Sequence, residues 1–445
     1  MKRHKLFKKP ETLSGKIILA TLFIIFIRIL SNVPLPYINR DYLSMLFADS
    51  SIYGLFNTFS GGSFGNMTIL ALGVSPYITA SIILQLLAVT FPKLEDIQKD
   101  DFGNNKKWKI LNFIISLVFS IIQAVGICLT FGNRGLFTIY NIKTVIITSI
   151  ILTIGTAITV GVGEFITKYC IGNGVSIILA SNIIASLPGD VLTFHQAYVV
   201  DHKAWQIAIA VLILLIIVVF LIASTIILSG AQKEIPVVYA TSARSGRSSY
   251  KHSYTIPIKL NTAGVMPIIF ASTLFSVPMI FLNNKDGKVV EAIKHICSST
   301  YWYKLDVWGI VGLVLDFILV IIFAYFYTSI TLDLTKMSNN LRQSGASVPG
   351  LRPGTPTEEY IRSKIKRMPF IGATFLFILT QVPIIISHFT NIYSLSFGGT
   401  SVIIVVGVIV ETTATIQSEL MMKKYVNNPK RTIFGINYNE LAIKR

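Results

Sequence analysis

Chemistry at a site requires ionisable or nucleophilic side chains brought together, and this chain places few of them where they would meet. Charged residues make up 13% of the 445 positions, and only Arg28, Asp316 and Glu411 stand clearly inside the long apolar stretches. These three fall at unrelated places and include no acidic pair of the kind an ion-coupled transporter sets near its midplane. The six histidines (His4, His195, His202, His252, His295 and His388) have no ligand spacing, and there is no HExxH motif and no GxxxxGK[ST] phosphate loop. Catalytic residues, a metal and a cofactor are therefore not expected. Any nucleotide hydrolysis that drives this protein belongs to a partner. The three cysteines, Cys128, Cys170 and Cys297, are an odd and scattered set, so free thiols are expected rather than a disulfide framework.

What the chain has instead is apolar length. Apolar residues make up 52% of it and the mean hydropathy is +0.65, more than a soluble domain of this size buries and what a polytopic bundle needs. The opening MKRHKLFKKP is too polar for a signal h-region, so the first apolar segment reads as a retained span. Ten spans are predicted, near 16–34, 73–91, 110–131, 143–163, 171–188, 205–229, 261–282, 308–330, 369–388 and 399–420, with a turn at Phe397–Thr400 before the last. Lys and Arg concentrate at the N-terminus, in the 92–109, 231–260 and 331–368 loops and in the C-terminal tail. The positive-inside rule then puts both termini in the cytoplasm and accounts for most of the net charge of +18. The loops 231–260 and 331–368 are much longer than connectors require, which suggests docking of a large anionic or acidic partner.

The stretch Gly54–Phe91 is uncharged yet too long for one span, since about 20 residues cross the hydrocarbon. Its first half is loose: Gly54, Gly61, Gly62 and Gly65 alternate with Asn57, Ser60, Ser63 and Asn66. Such backbone cannot face lipid and is tolerated only inside protein or along a watery cavity. The expectation is a short re-entrant piece followed by a full helix, as in a channel or a transporter.

Five strings bring a family into view: SPYITASIILQLL (75–87), IGNGVSIIL (171–179), NTAGVMPIIFAS (261–272), NNLRQSGASVPGLRPG (339–354) and FGGTSVIIVV (397–406). In this order, over residues 15 to about 425, they resemble the SecY family of channel subunits of the bacterial protein-secretion translocon. The resemblance implies an all-α polytopic membrane protein of ten helices in two pseudo-symmetric halves, 1–188 and 205–445, joined by an external connection at 189–204. The halves would close like a clamshell on a pore for unfolded polypeptide. It also implies a plug at about 54–65 (Asn57, Ser60, Gly61, Gly62, Gly65), and a pore ring of Ile78, Leu179, Ile269 and Ile404 with Val74, Val175 and Val265 one turn away. A lateral gate towards membrane lipids would use Thr79, Gln123 and Asn261. Arg352, on the PGLRPG tip, and Arg244, Arg247 and Lys251 would dock partners, although SGRSSY carries one arginine where the family has adjacent ones, which leaves open a divergent or accessory-system paralogue. The partners implied are the SecA ATPase, the ribosome, the small membrane subunits SecE and SecG, and a signal-bearing polypeptide, in the cytoplasmic membrane.

The residues agree with this on physical grounds. A pore that passes every side chain should lack a specific site, and an aliphatic ring seals around a chain and resists wetting when empty. For any single residue the competing reading is ordinary helix packing, or for Gln123 and Asn261 an interhelical hydrogen bond. Arg28 is expected to face protein or water, with Glu411 or a carbonyl as partner. Asp316 departs from the family pattern and could be paired, protonated or in contact with an accessory subunit. A secondary transporter and a membrane enzyme are the alternatives, and the absence of an ionisable midplane cluster and of the motifs above disfavours both.

Overall fold

The computed structural model describes residues 12–39, 54–99, 106–194, 204–239, 254–282, 287–303, 307–332, 334–352, 354–390 and 394–426. Each of the ten expected spans contains a helix: α1 (Leu13–Leu30), α3 (Ser75–Thr90), α5 (Lys106–Phe131), α6 (Ile142–Tyr169), α7 (Gly174–Phe194), α8 (Ala204–Gly230), α9 (Met266–Leu282), α11 (Val307–Thr331), α14 (Met368–Thr390) and α15 (Ser394–Val426). Among the described residues, seven helices are long and apolar enough to cross a membrane alone, and α7 and α9 are shorter apolar helices. The remaining one, α3, breaks at Phe91 and turns by 119° into α4 (Pro92–Lys99). Lipid-facing surface is plain on the outer helices: Ile146, Ile150 and Ile154 of α6 are all about half exposed and recur every four residues.

Boundaries differ from the sequence expectation in three places. Helix α1 stops at Leu30, where Ser31 caps it, so Arg28 lies in its last turn and not midway along a span. Pro34 follows closely, and a helix cannot run into the residue before proline without strain. Residues 261–265 form a turn ahead of α9, held by Asn261, whose Nδ2 donates to the Gly264 carbonyl at 2.9 Å. The turn expected at Phe397–Thr400 lies inside α15, which already starts at Ser394.

The helices pack around one main apolar cluster. It draws Ile27 from α1, Ile78 from α3, Leu179 and Ile183 from α7, Ile269 and Phe270 from α9, Leu376 from α14 and Ile403 and Ile404 from α15. α5, α6 and α3 pack side by side, as do α14, α15 and α8; α9 lies against both α3 and α5, and α15 against α7. At one edge Lys16 of α1 and Glu419 of α15 pair at 2.5 Å.

The described parts of the two long loops are a folded unit with strands that span reading does not anticipate. β1 (Gln232–Tyr239) pairs antiparallel with β2 (Tyr254–Lys259) in the register Ile235↔Ile256, and with the two-residue β3 (Ala346–Ser347) on its other side. Pro236 is tolerated because β3 reaches only Val238 and Tyr239, leaving the proline where β1 has one neighbour. Ile235 and Val237 alternate inward and bury with Ile258, Leu341, Val348, Ile361 and Ile365. These last come from β2, from α12 (Leu334–Gln343) and α13 (Thr355–Ile365), and, for Val348, from the turn after β3, so loops 231–260 and 331–368 share one small core.

Candidate functional site

The re-entrant piece is helix α2 (Gly54–Ser60) followed by tight turns. Gly61 and Gly62 end the helix with φ of 67° and 84°, a left-handed conformation that other residues adopt with strain. Side chains then stitch the loop. Asn57 Oδ1 accepts from the Gly65 amide at 2.8 Å, and Ser60 Oγ accepts from the Phe64 amide at 2.9 Å while donating to the Asn57 carbonyl at 3.1 Å. The return run is tied to the chain after α1, with Leu35 N to Met67 O at 3.1 Å and Ile69 N to Val33 O at 3.0 Å. Gly155 of α6 leaves room for the Ile69 carbonyl, which would stand 2.0 Å from a Cβ there. Most of the loose backbone is thus buried or half-buried against protein, and Asn66 is exposed.

The last carbonyls of a helix need partners from outside it. In α2 the backbone serves two, with Gly62 N to Asn57 O at 2.9 Å and Gly61 N to Thr58 O at 3.1 Å. Two of those that follow are served by neighbouring helices. Asn182 Nδ2 of α7 donates to the Phe59 carbonyl at 2.8 Å, and Arg28 Nη1 of α1 donates to the Gly61 carbonyl at 3.4 Å. Arg28 Nη2 also donates to Asn182 Oδ1, joining the two. The partner of Arg28 is therefore a carbonyl, while Glu411 is exposed on α15. Sequence reading singles out Arg28 but not Asn182, whose amide in an apolar helix looks like ordinary helix-to-helix bonding.

Ile78, Leu179, Ile269 and Ile404 are all buried in one cluster, together with Val74, Val265 and Phe59 of α2. Val175 is partly buried against it. Four distant segments thus converge on one apolar centre that also takes in Phe59 of the re-entrant helix. Small residues permit it: Gly407 faces Val265, whose Cγ1 would lie 2.4 Å from an added Cβ, and Gly163 faces Val175 at 2.9 Å. A cavity of about 90 Å³ opens beside Phe59, Ile268 and Ile404 and reaches Asp316 of α11.

Of the three residues expected at a gate two meet. Gln123 Nε2 of α5 lies 3.5 Å from Thr79 Oγ1 of α3, both buried. Asn261, also buried, bonds its own turn at Gly264. Arg352 is exposed, on a turn whose geometry is fixed: Gly350 and Gly354 have φ of 82° and 120°, Thr357 Oγ1 donates to the Arg352 carbonyl at 2.8 Å, and Ser338 Oγ donates to Gly354 O at 2.8 Å. Arg244, Arg247 and Lys251 lie outside the described residues, as does most of 189–204.

Asp316 is buried against Gln381 of α14, whose Oε1 accepts from the Tyr303 hydroxyl at 3.0 Å. Gly61, Ser63 and Gly65 happen to have GxSxG spacing. The nucleophile elbow that this pattern marks joins a strand to a helix. Here the run follows a helix and leads into turns, and Ser63 is 1% exposed, so no reagent reaches it. All three cysteines are free, and burial pushes the thiol of Cys297, the last residue of α10 (Lys288–Cys297), up to about 11.

A sequence-family model described as SecY matches residues 68–413. A protein translocase subunit SecY from Guillardia theta is 33% identical over 94% of this chain and 97% of its own length. The subunit of that name from Aquifex aeolicus is 34% identical over 96% and 98%. Among solved structures, one described as a protein-conducting channel superposes with a TM-score of 0.66 at 18% identity, covering 98% of this chain and 100% of that one. A SecY protein whose plug domain is described as stabilising the closed state and maintaining a membrane seal gives 0.64 at 18%, with the same coverage. Sec61 in a canine ribosome–channel complex gives 0.62 at 17%, again over 98% and 100%. At these identities the structural likeness is one of fold.

Proposed function

The chain belongs to the SecY family, and from that premise we propose that it is the central subunit of a protein-conducting channel in the cytoplasmic membrane, passing unfolded preproteins across and releasing apolar segments sideways into lipid. The observation that carries this is the convergence of Ile78, Leu179, Ile269 and Ile404, from four separate helices, on one buried cluster that also takes in Phe59 of the proposed plug. A ring of aliphatic side chains gives a seal that adapts to any passing residue and binds none of them.

The two halves, 1–188 and 205–445, would part about the 189–204 connection. Val74, Val175 and Val265 back the ring. Opening separates α3 from α9 and exposes the Thr79–Gln123 pair, with Asn261 at the mouth of α9, to an entering signal segment. The protein itself is not an enzyme: the pore is passive, and a SecA-type ATPase or the ribosome drives the chain through. Their docking surface is the folded loop unit, with Arg352 presented on a turn fixed by Gly350, Gly354 and Thr357 and with Arg244, Arg247 and Lys251 in the neighbouring loop. A guanidinium on a rigid tip suits carboxylate partners. Both termini are cytoplasmic, and SecE and SecG are the companion membrane subunits. The ribosome-bound Sec61 structure of the same fold supports a ribosome-facing cytoplasmic side.

Site-specific photo-crosslinking of a stalled precursor tests the reading. A crosslinker at Ile404 should capture the precursor, whereas one at Ile409, half exposed on the same helix, should capture lipid. Capture at Ile409 and none at Ile404 would exclude a pore through this centre.

A further inference from the structure

The plug reading leaves open what holds a seven-residue helix in place against a pore that must open. We propose that Arg28 and Asn182 are the latch, two positioning residues that retain the plug by its C-terminal carbonyls. The inference rests on the plug assignment and goes beyond it, because apolar packing of Phe56, Phe59 and Phe64 would be the default explanation of retention.

Three observations point to side-chain retention. The chain's own backbone satisfies the Asn57 and Thr58 carbonyls, and Asn182 and Arg28 take those of Phe59 and Gly61. The Asn182 amide uses both ends, donating to the plug while its oxygen accepts from Arg28, so one side chain fixes the other. Gly61 is shaped for the contact: an added Cβ would stand 2.6 Å from Arg28 Nη1 and 3.0 Å from the Asn182 Cα. The two residues belong to α1 and α7, which are different walls of the same half, so the latch bridges 154 residues of sequence.

Such a latch is conditional by its chemistry. In the closed, dry state the Phe59 and Gly61 carbonyls have these amide and guanidinium donors, and leaving them would strand polar groups away from water. Once the pore is hydrated, water supplies the same bonds and the cost of release falls. Retention is therefore strong when the channel is sealed and weak when it is wet, which makes opening cooperative.

Hydrogen exchange at the Gly61, Gly62, Phe64 and Gly65 amides of full-length channel in lipid nanodiscs tests this, with α5 and α6 amides as reference. Asn182→Ala should speed plug exchange about tenfold, as expected when one or two such bonds are lost, and leave α5 and α6 unchanged. Asn182→Asp keeps an acceptor for Arg28 but has no donor for Phe59, and should behave like the alanine variant. Arg28→Lys keeps the charge without the planar fork and should give a smaller increase. Plug exchange equal to wild type in both Asn182 variants would overturn the latch. Bilayer conductance of Asn182→Ala with Ile404→Gly separates the two ideas: faster plug exchange without added leak would keep the latch and remove the sealing role of the plug.

Discussion

Arg352 and Cys297 show how far a single side chain can be read. The arginine sits exposed on a turn that two left-handed glycines and a threonine hydroxyl hold rigid, so reversing its charge should repel an acidic partner without disturbing the fold. Arg352→Glu should insert normally and abolish motor-driven transport, measured as ATP-dependent import into vesicles holding equal amounts of channel; near-normal import would remove the docking role. Cys297, outside the spans, has its thiol pushed up to about 11 by burial. The thiolate is the reactive form, so its alkylation at pH 8 should be about a hundredfold slower than that of an ordinary thiol and should rise tenfold per pH unit up to about 11. A pH-independent rate, measured by mass spectrometry, would contradict this. The residues legible in the sequence were those carried by motifs, such as Ile404 within FGGTSVIIVV. Asn182 was not, because its plug partner is 123 positions away and an amide in an apolar helix has a commonplace explanation.

Helices α3 and α9 would carry the proposed gate, and they pack against each other. A disulfide engineered across their cytoplasmic halves, in a background lacking Cys128, Cys170 and Cys297, should block export until it is reduced. Export of a signal-bearing precursor by fully crosslinked protein would place the gate elsewhere. The loop unit has its own core, and Ile361 is fully buried in it. Ile361→Ala should cost that unit about 2–5 kcal/mol, seen as faster proteolysis of both loops with the spans intact. Cleavage confined to the 331–368 loop would show that the loops fold separately. Spans were legible because about 20 apolar residues leave few alternatives. The sheet was hidden: Ile235 and Val237 alternate over only a few residues, and β3 is two residues long, below what period alone detects. The 119° bend after α3 was hidden too, since Phe91 and Pro92 look like the end of a span whether or not a helix follows.

For the whole molecule the account is two barriers in series, an aliphatic ring from α3, α7, α9 and α15 and a plug latched above it. A packing-only account predicts that trimming a ring residue lowers stability and does nothing else. The measurement that separates them is planar-bilayer current through purified channel, comparing Ile404→Gly, deletion of residues 54–65, and the two combined. A small resting ion conductance is expected from Ile404→Gly, because the plug still obstructs the widened ring. The combined variant should conduct more than the sum of the two single ones. Silence from the combined variant, with the protein folded and inserted, would contradict the account and take Ile78, Leu179, Ile269 and Ile404 out of the pore.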